Sequence, residues 1–165
     1  MFQVMDTVVH PTAGICRIRD IRKEKFGDSP MLYYVMTPLG DKGSNQIFTP
    51  VDSDKIALRL PLKKEDVTAI LHDVPDAEIP WDADEKQRDA LLWPLLRSGT
   101  HAQIIQMIVK LHQLRELRKQ EGKKLFAGDE RLLAEAQTMI HREFSFALGL
   151  DEAETIRYIM KAIAV

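Results

Sequence analysis

Cysteine is almost absent from this chain: Cys16 is the only one among 165 residues. An internal disulfide is therefore impossible, and a zinc site built from several thiolates is excluded. Such a chain suits a reducing compartment. Long apolar runs are missing as well. The longest cover a few residues, whereas a bilayer crossing needs roughly 20. The opening stretch, MFQVMDTVVH, has neither the basic segment nor the apolar core of a signal peptide. The expectation is a soluble cytoplasmic protein with no membrane association. Charge of one sign is lacking too. With 23 Lys and Arg against 25 Asp and Glu the formal charge is −2, which excludes a strongly basic protein held to nucleic acid by bulk charge. Apolar residues at 45% and charged residues at 29% argue against a largely disordered chain.

Catalytic signatures are also wanting. No GxGxxG follows a strand, and no GxxxxGK[ST] occurs. The nearest stretch, Gly40-Asp41-Lys42-Gly43, has too few glycines at the wrong spacing. His141-Arg142-Glu143 is not HExxH. The histidines, at 10, 72, 101, 112 and 141, are scattered with no ligand spacing. Cys16 falls in a strand pattern and reads as a buried residue. Acidic pairs such as Asp82/Asp84 and Glu152/Glu154 fall at helix starts, where they complement the dipole. The expectation is no enzyme, no cofactor, no metal and no small-molecule substrate.

What is present changes character near residue 60. Residues 1–60 carry 8 basic and 7 acidic residues and hold most of the β-branched runs. Five short strands are predicted: Thr7–His10, Ile15–Ile21, Leu32–Thr37, Gln46–Thr49 and Lys55–Leu58. Ile15, Arg17 and Arg19 alternate with Cys16 and Ile18, the period of a half-buried sheet. Short turn-rich loops separate the strands, leaving no room for crossover helices, so the sheet is antiparallel and forms a small barrel or curled sheet. Beyond Pro61 the period becomes 3.6. Helices are predicted over 63–71, from an Asp82 cap to about Leu96 with an end or kink near Trp93 caused by Pro94, from a Thr100/Gln103 capping box to about Glu121, over 129–148, and over 152–163. Gly149 ends the fourth of these. The fold class is α+β: residues 1–60 an antiparallel β domain, residues 61–165 a compact all-helical domain of about four helices.

A run of residues in each half then resembles a known family. Phe2-Gln3-Val4-Met5-Asp6-Thr7-Val8-Val9-His10-Pro11-Thr12-Ala13-Gly14 resembles the opening of the CarD/CdnL family of bacterial transcription regulators. Tyr33-Tyr34-Val35 and Pro50-Val51 fit, as do Pro80-Trp81, Arg88 and the stretch from Gly122-Lys123-Lys124-Leu125-Phe126-Ala127-Gly128-Asp129 to Ala136. The resemblance implies a Tudor-like N-terminal module that binds the RNA polymerase β subunit, shared with the transcription-repair coupling factor. It implies a helical domain that contacts promoter DNA upstream of the bubble. There a tryptophan wedges into the minor groove and stabilises the open complex.

Carried over residue by residue, Trp81 matches the wedge, and an indole suits a partly unstacked base step. The alternative is a staple packing Trp81 onto its own helix. Lys86 and Arg88 are candidate phosphate clamps, although residues 73–90 hold 7 acidic against 2 basic residues. A better basic surface is Arg115, Arg118, Lys119, Lys123 and Lys124, which also reads as a solvated helix end. The family's basic or polar residue before the Pro-Val pair corresponds here to Phe48, in Ile47-Phe48-Thr49-Pro50-Val51. Basic character for the polymerase contact comes from Arg17, Arg19, Arg22 and Lys23. Ile47, Phe48 and Pro50 offer a strand edge with an apolar anchor, or else Ile47 and Phe48 are core. The family commonly has Gly where this chain has Met5.

The expected function is a transcription regulator tethered through the polymerase β subunit, reading promoter DNA with little sequence preference and associated with the nucleoid through polymerase. The alternative is an adaptor whose helical domain contacts protein and not DNA.

Overall fold

The computed structural model describes residues 1–163. The chain forms two compact units, Met1–Pro61 and Leu62–Val165. The first is a curled antiparallel sheet of four strands in the order β1-β2-β3-β4: Thr7–His10, Gly14–Glu24, Met31–Pro38 and Ile47–Pro50. The predicted fifth strand, Lys55–Leu58, does not form. Its place is taken by a single antiparallel bridge between Val9 and Arg59. Ser53 explains this locally: its hydroxyl accepts from the backbone N–H groups of Lys55 and Ile56, which turns the chain instead of extending it.

The alternation read in β2 holds as far as Ile18. Cys16 and Ile18 are buried with Val8, Tyr34 and Met36 in the sheet's core. Between Ile18 and Asp20 the register shifts by a bulge, and Ile21 then faces the core. The bulge therefore keeps Arg22 on the same side of the sheet as Arg17, an odd number of residues away. Met5 is the only described non-glycine residue at positive φ (76°), in the turn whose N–H donates to the Ile18 carbonyl at 2.8 Å. An L side chain is strained there by about 1–2 kcal/mol.

The second unit has five α-helices, one at each predicted segment: α1 Lys64–Asp73, α2 Glu85–Ser98, α3 His101–Gln120, α4 Ala127–Leu148 and α5 Glu152–Ile163, with a short 3₁₀ turn at Val74–Asp76. Its core joins Val67 and Leu71 of α1, Leu92 of α2, Ile104, Ile105, Met107 and Leu111 of α3, and Leu132, Leu133, Ala136, Ile140 and Phe144 of α4. Two expectations about α2 are corrected. Asp84, not Asp82, is the N-cap, accepting from the Gln87 N–H at 3.2 Å; Asp82 instead accepts from the Asp84 N–H at 2.8 Å, making a tight turn before the helix. The helix also runs through Pro94 to Ser98. Pro94 and Ala90 are both exposed, so water can serve the Ala90 carbonyl that loses its donor, while Leu95 and Leu96 pack on the core. Thr100 and Gln103 form the predicted capping box, Gly149 closes α4 at φ 66°, and Asp151 and Glu154 cap α5 reciprocally. Leu117 and Met160 are 61% and 62% exposed. No described helix is long and apolar enough to cross a membrane.

Candidate polymerase and nucleic-acid interfaces

The sheet register sorts the candidate residues of the first unit onto two faces. Arg17 lies opposite Thr37, Arg22 opposite Tyr33, Tyr33 opposite Pro50 and Val35 opposite Phe48. With side chains alternating along each strand, Arg17, Arg22, Phe48 and Pro50 share the face turned away from the core. Arg19, at the bulge, reaches the same face, donating from Nε to the Thr37 hydroxyl at 2.9 Å. Lys23 follows Arg22 on β2 and is exposed. Ile47 is the exception: it packs against the core cluster and is corrected from an exposed anchor to a core residue.

Around Phe48 the structure builds an aromatic patch that sequence reading missed. The Phe26 ring meets Phe48 edge-on at 5.0 Å and Tyr33 at 5.1 Å, and it is 61% exposed. The Arg22 guanidinium lies 5.6 Å from the Phe48 centroid, held by Asp20 and Glu24 on its other side. Phe26 sits in a loop of turn residues with no strand pattern, so only the fold joins it to Phe48. The Arg17 Nε is buried without a hydrogen-bond partner among the described residues. Beside this face, β4 has among the described residues a ladder neighbour on its β3 side only, whereas β1 is covered at Val9 by Arg59.

In the helical unit, Trp81 is half-buried against the core. It stands three residues ahead of the true N-cap and packs on its own helix through Arg88 of α2, while Lys86 is exposed. Two cations flank the indole: the Arg88 guanidinium 5.4 Å and the Lys110 ammonium 5.6 Å from its centroid. The same Arg88 lies 5.8 Å from the Phe126 ring, on which Arg118 stacks at 3.9 Å. Lys110, Trp81, Arg88, Phe126 and Arg118 thus alternate cation and ring across α2, α3 and the loops before α2 and α4. Lys110 was not singled out in the sequence, because nearly 30 residues separate it from Trp81.

Arg88 is corrected from a phosphate clamp to a buried strut. It is 1% exposed. Its Nε and Nη2 both engage the Asp129 carboxylate, and Nη1 donates to the carbonyls of Asp82 and Ala83 at 3.0 and 3.1 Å. The hydrogen bonds to Asp129 raise its pKa, outweighing the loss of solvent. The guanidinium therefore has no open face for a phosphate. It fixes the Asp82–Ala83 backbone and with it the approach to Trp81.

Of the C-terminal basic stretch, Arg115 pairs with Glu130 at 2.7 Å, and Arg118 donates to the Lys124 carbonyl at 2.6 Å. Lys123 lies 3.9 Å from Glu121 with both side chains more than half exposed. Lys119 and Lys124 are exposed. The acidic surroundings of Trp81 are partly spent: Asp82 and Asp84 serve the turn and the cap, Asp89 accepts from the Trp93 indole at 3.0 Å, and Asp129 binds Arg88. Among the described residues, no group of three His, Cys, Asp or Glu side chains is placed to hold a metal ion.

Residues 2–60 match the CarD-like/TRCF RID domain family. No curated protein matches the chain significantly. The matched segment contains the whole sheet and the Arg17, Arg22, Phe48 and Pro50 face.

Proposed function

We propose, from the premise that the first unit of this chain belongs to the CarD-like/TRCF RID domain family, that the protein regulates transcription by docking on the RNA polymerase β subunit through that unit. The matched family is a protein-interaction domain, not a catalytic one, and binds RNA polymerase β. The observation that carries the reading is the match over residues 2–60 together with the face it contains. That face offers an aromatic anchor with Arg22 against it and Arg17 and Arg19 on the same sheet face, beside the outer edge of β4. An interface needs such a buried aromatic anchor with a polar rim, and an open edge adds backbone hydrogen bonds.

The helical unit supplies the second contact, with promoter DNA. Trp81 meets a partly unstacked step at the bubble edge, and Lys110, Lys86, Lys119 and Lys124 meet phosphates. Modest DNA affinity is enough, because the polymerase contact raises the effective concentration. Nothing in the unit resembles a recognition helix in a major groove, so the effect falls on complex lifetime and not on sequence choice. The protein acts in the cytoplasm, at the nucleoid. The docking step is tested by titrating the purified β subunit with wild type and Phe48→Ala. A loss of at least tenfold supports the assigned face; unchanged affinity removes it.

A further inference from the structure

The helical unit also carries a cleft that neither contact uses. Its walls are α3 and α5, its floor is α4, and its volume is about 1170 Å³. On α3 it is lined from Ile105 to Gln120, with Ile108, Val109, His112 and Glu116 between them at helical spacing. On α5 the apolar residues Ile156, Ile159, Met160 and Ile163 face it. Leu117 and Met160, at 61% and 62% exposure, are the most uncovered large apolar residues of its lining. Natural sequences seldom leave a continuous apolar channel open to water without a partner for it.

Size and charge point to one kind of occupant. The volume exceeds the several hundred Å³ of an ordinary small-molecule pocket. The α3 wall, Ile105 to Gln120, is about 22 Å long at 1.5 Å per residue, the length of a four-turn helix. Among the described residues the lining contains no Lys or Arg, while Glu116 stands on one wall and Glu152 on the other. Glu116 has no ion-pair partner among the described residues. Glu152 is 3.8 Å from the His141 ring, and burial lowers the His141 pKa, so that histidine is neutral near pH 7 and leaves the carboxylate charge in place. His112 is engaged with the Gln137 side chain at 2.7 Å. The cleft therefore has apolar side chains on both walls, a mixed floor and an acidic rim.

We propose that the α3–α4–α5 cleft receives an amphipathic helix of a partner protein, about four turns long, with apolar anchors on one face and Lys or Arg on its flanks. The anchors settle over Ile108, Ile156 and Met160, and the basic flanks meet Glu116 and Glu152. The protein then joins a second polypeptide through its helical unit while its other surfaces stay available.

The test uses the full chain and a fluorescent 16-residue peptide with leucines at every third and fourth position and flanking lysines. Anisotropy is expected to rise on mixing. Met160→Glu and Leu117→Glu, both at exposed positions and checked for fold by circular dichroism, are expected to weaken binding at least tenfold. The double reversal Glu116→Lys with Glu152→Lys is expected to weaken the basic peptide about tenfold and to improve an acid-flanked one. Equal binding of the two peptides to wild type, or equal affinity across the variants, overturns the proposal. So does a wild-type dimer in sedimentation that Met160→Glu dissociates, because the cleft would then belong to a second copy of the chain.

Discussion

Arg88 and Asp129 form a two-pronged, fully buried ion pair that ties α2 to the first turn of α4. The pair joins positions 41 residues apart, and the same guanidinium pins the backbone of Asp82 and Ala83. Its place beside Trp81 makes it the support on which the indole rests. Removing Asp129 strands a buried cation, and a broken buried pair costs about 3–5 kcal/mol. Asp129→Ala is expected to lower the unfolding free energy of the helical unit, read from its urea midpoint and slope, by that amount. Arg88→Lys is expected to lose much of it too, because an ammonium cannot span both carboxylate oxygens and the two carbonyls. An unfolding free energy within about 1 kcal/mol of wild type for both variants would remove the strut.

Lys110 is the cation that the fold brings to Trp81. If the indole meets DNA at a bubble edge, the ammonium 5.6 Å from its ring is placed to meet a neighbouring phosphate. Lys110→Ala is expected to weaken binding of a forked duplex and to reduce the slope of log K against log salt by about one. Lys110→Arg is expected to keep both. An unchanged slope in the alanine variant would take Lys110 out of the interface.

Met5 tests a different consequence of the fold. It holds a left-handed backbone with an exposed side chain, so its replacement sacrifices little buried area. Met5→Gly relieves about 1–2 kcal/mol of strain and costs about 0.5–1 kcal/mol of extra chain entropy. The net expectation is a gain of about 0.5–1 kcal/mol for the sheet unit, read as a higher melting temperature. A lower melting temperature would show that the Met5 side chain contributes more than its backbone costs.

Much of this architecture was legible from local pattern. The alternation at Cys16 and Ile18, the Thr100/Gln103 box and the Gly149 stop are short-range signals, and each element stands where its signal lies. The misses are cases where distant packing outweighed a local rule. Pro94 is carried inside α2 because Leu95 and Leu96 gain the core. Lys55–Leu58 has strand composition, but the Ser53 turn bends it away. The site was less legible for the same reason. Arg88 reads as a surface cation until Asp129 is placed beside it. Lys110 and Phe26 carry no pattern at all, and only the tertiary fold sets them against Trp81 and Phe48. Leu117 and Met160 keep helical spacing although they stay mostly exposed among the described residues.

The proposed role rests on Trp81 acting at the promoter while the first unit holds polymerase. The direct measurement is the lifetime of open promoter complexes formed by the cognate polymerase, with wild type, with Trp81→Ala and without the protein. Binding of each protein to polymerase is measured alongside. The prediction is that wild type prolongs the lifetime severalfold, and that Trp81→Ala binds polymerase equally well yet leaves the lifetime at the protein-free value. If both bind polymerase and give the same lifetime, the role assigned to Trp81 is contradicted.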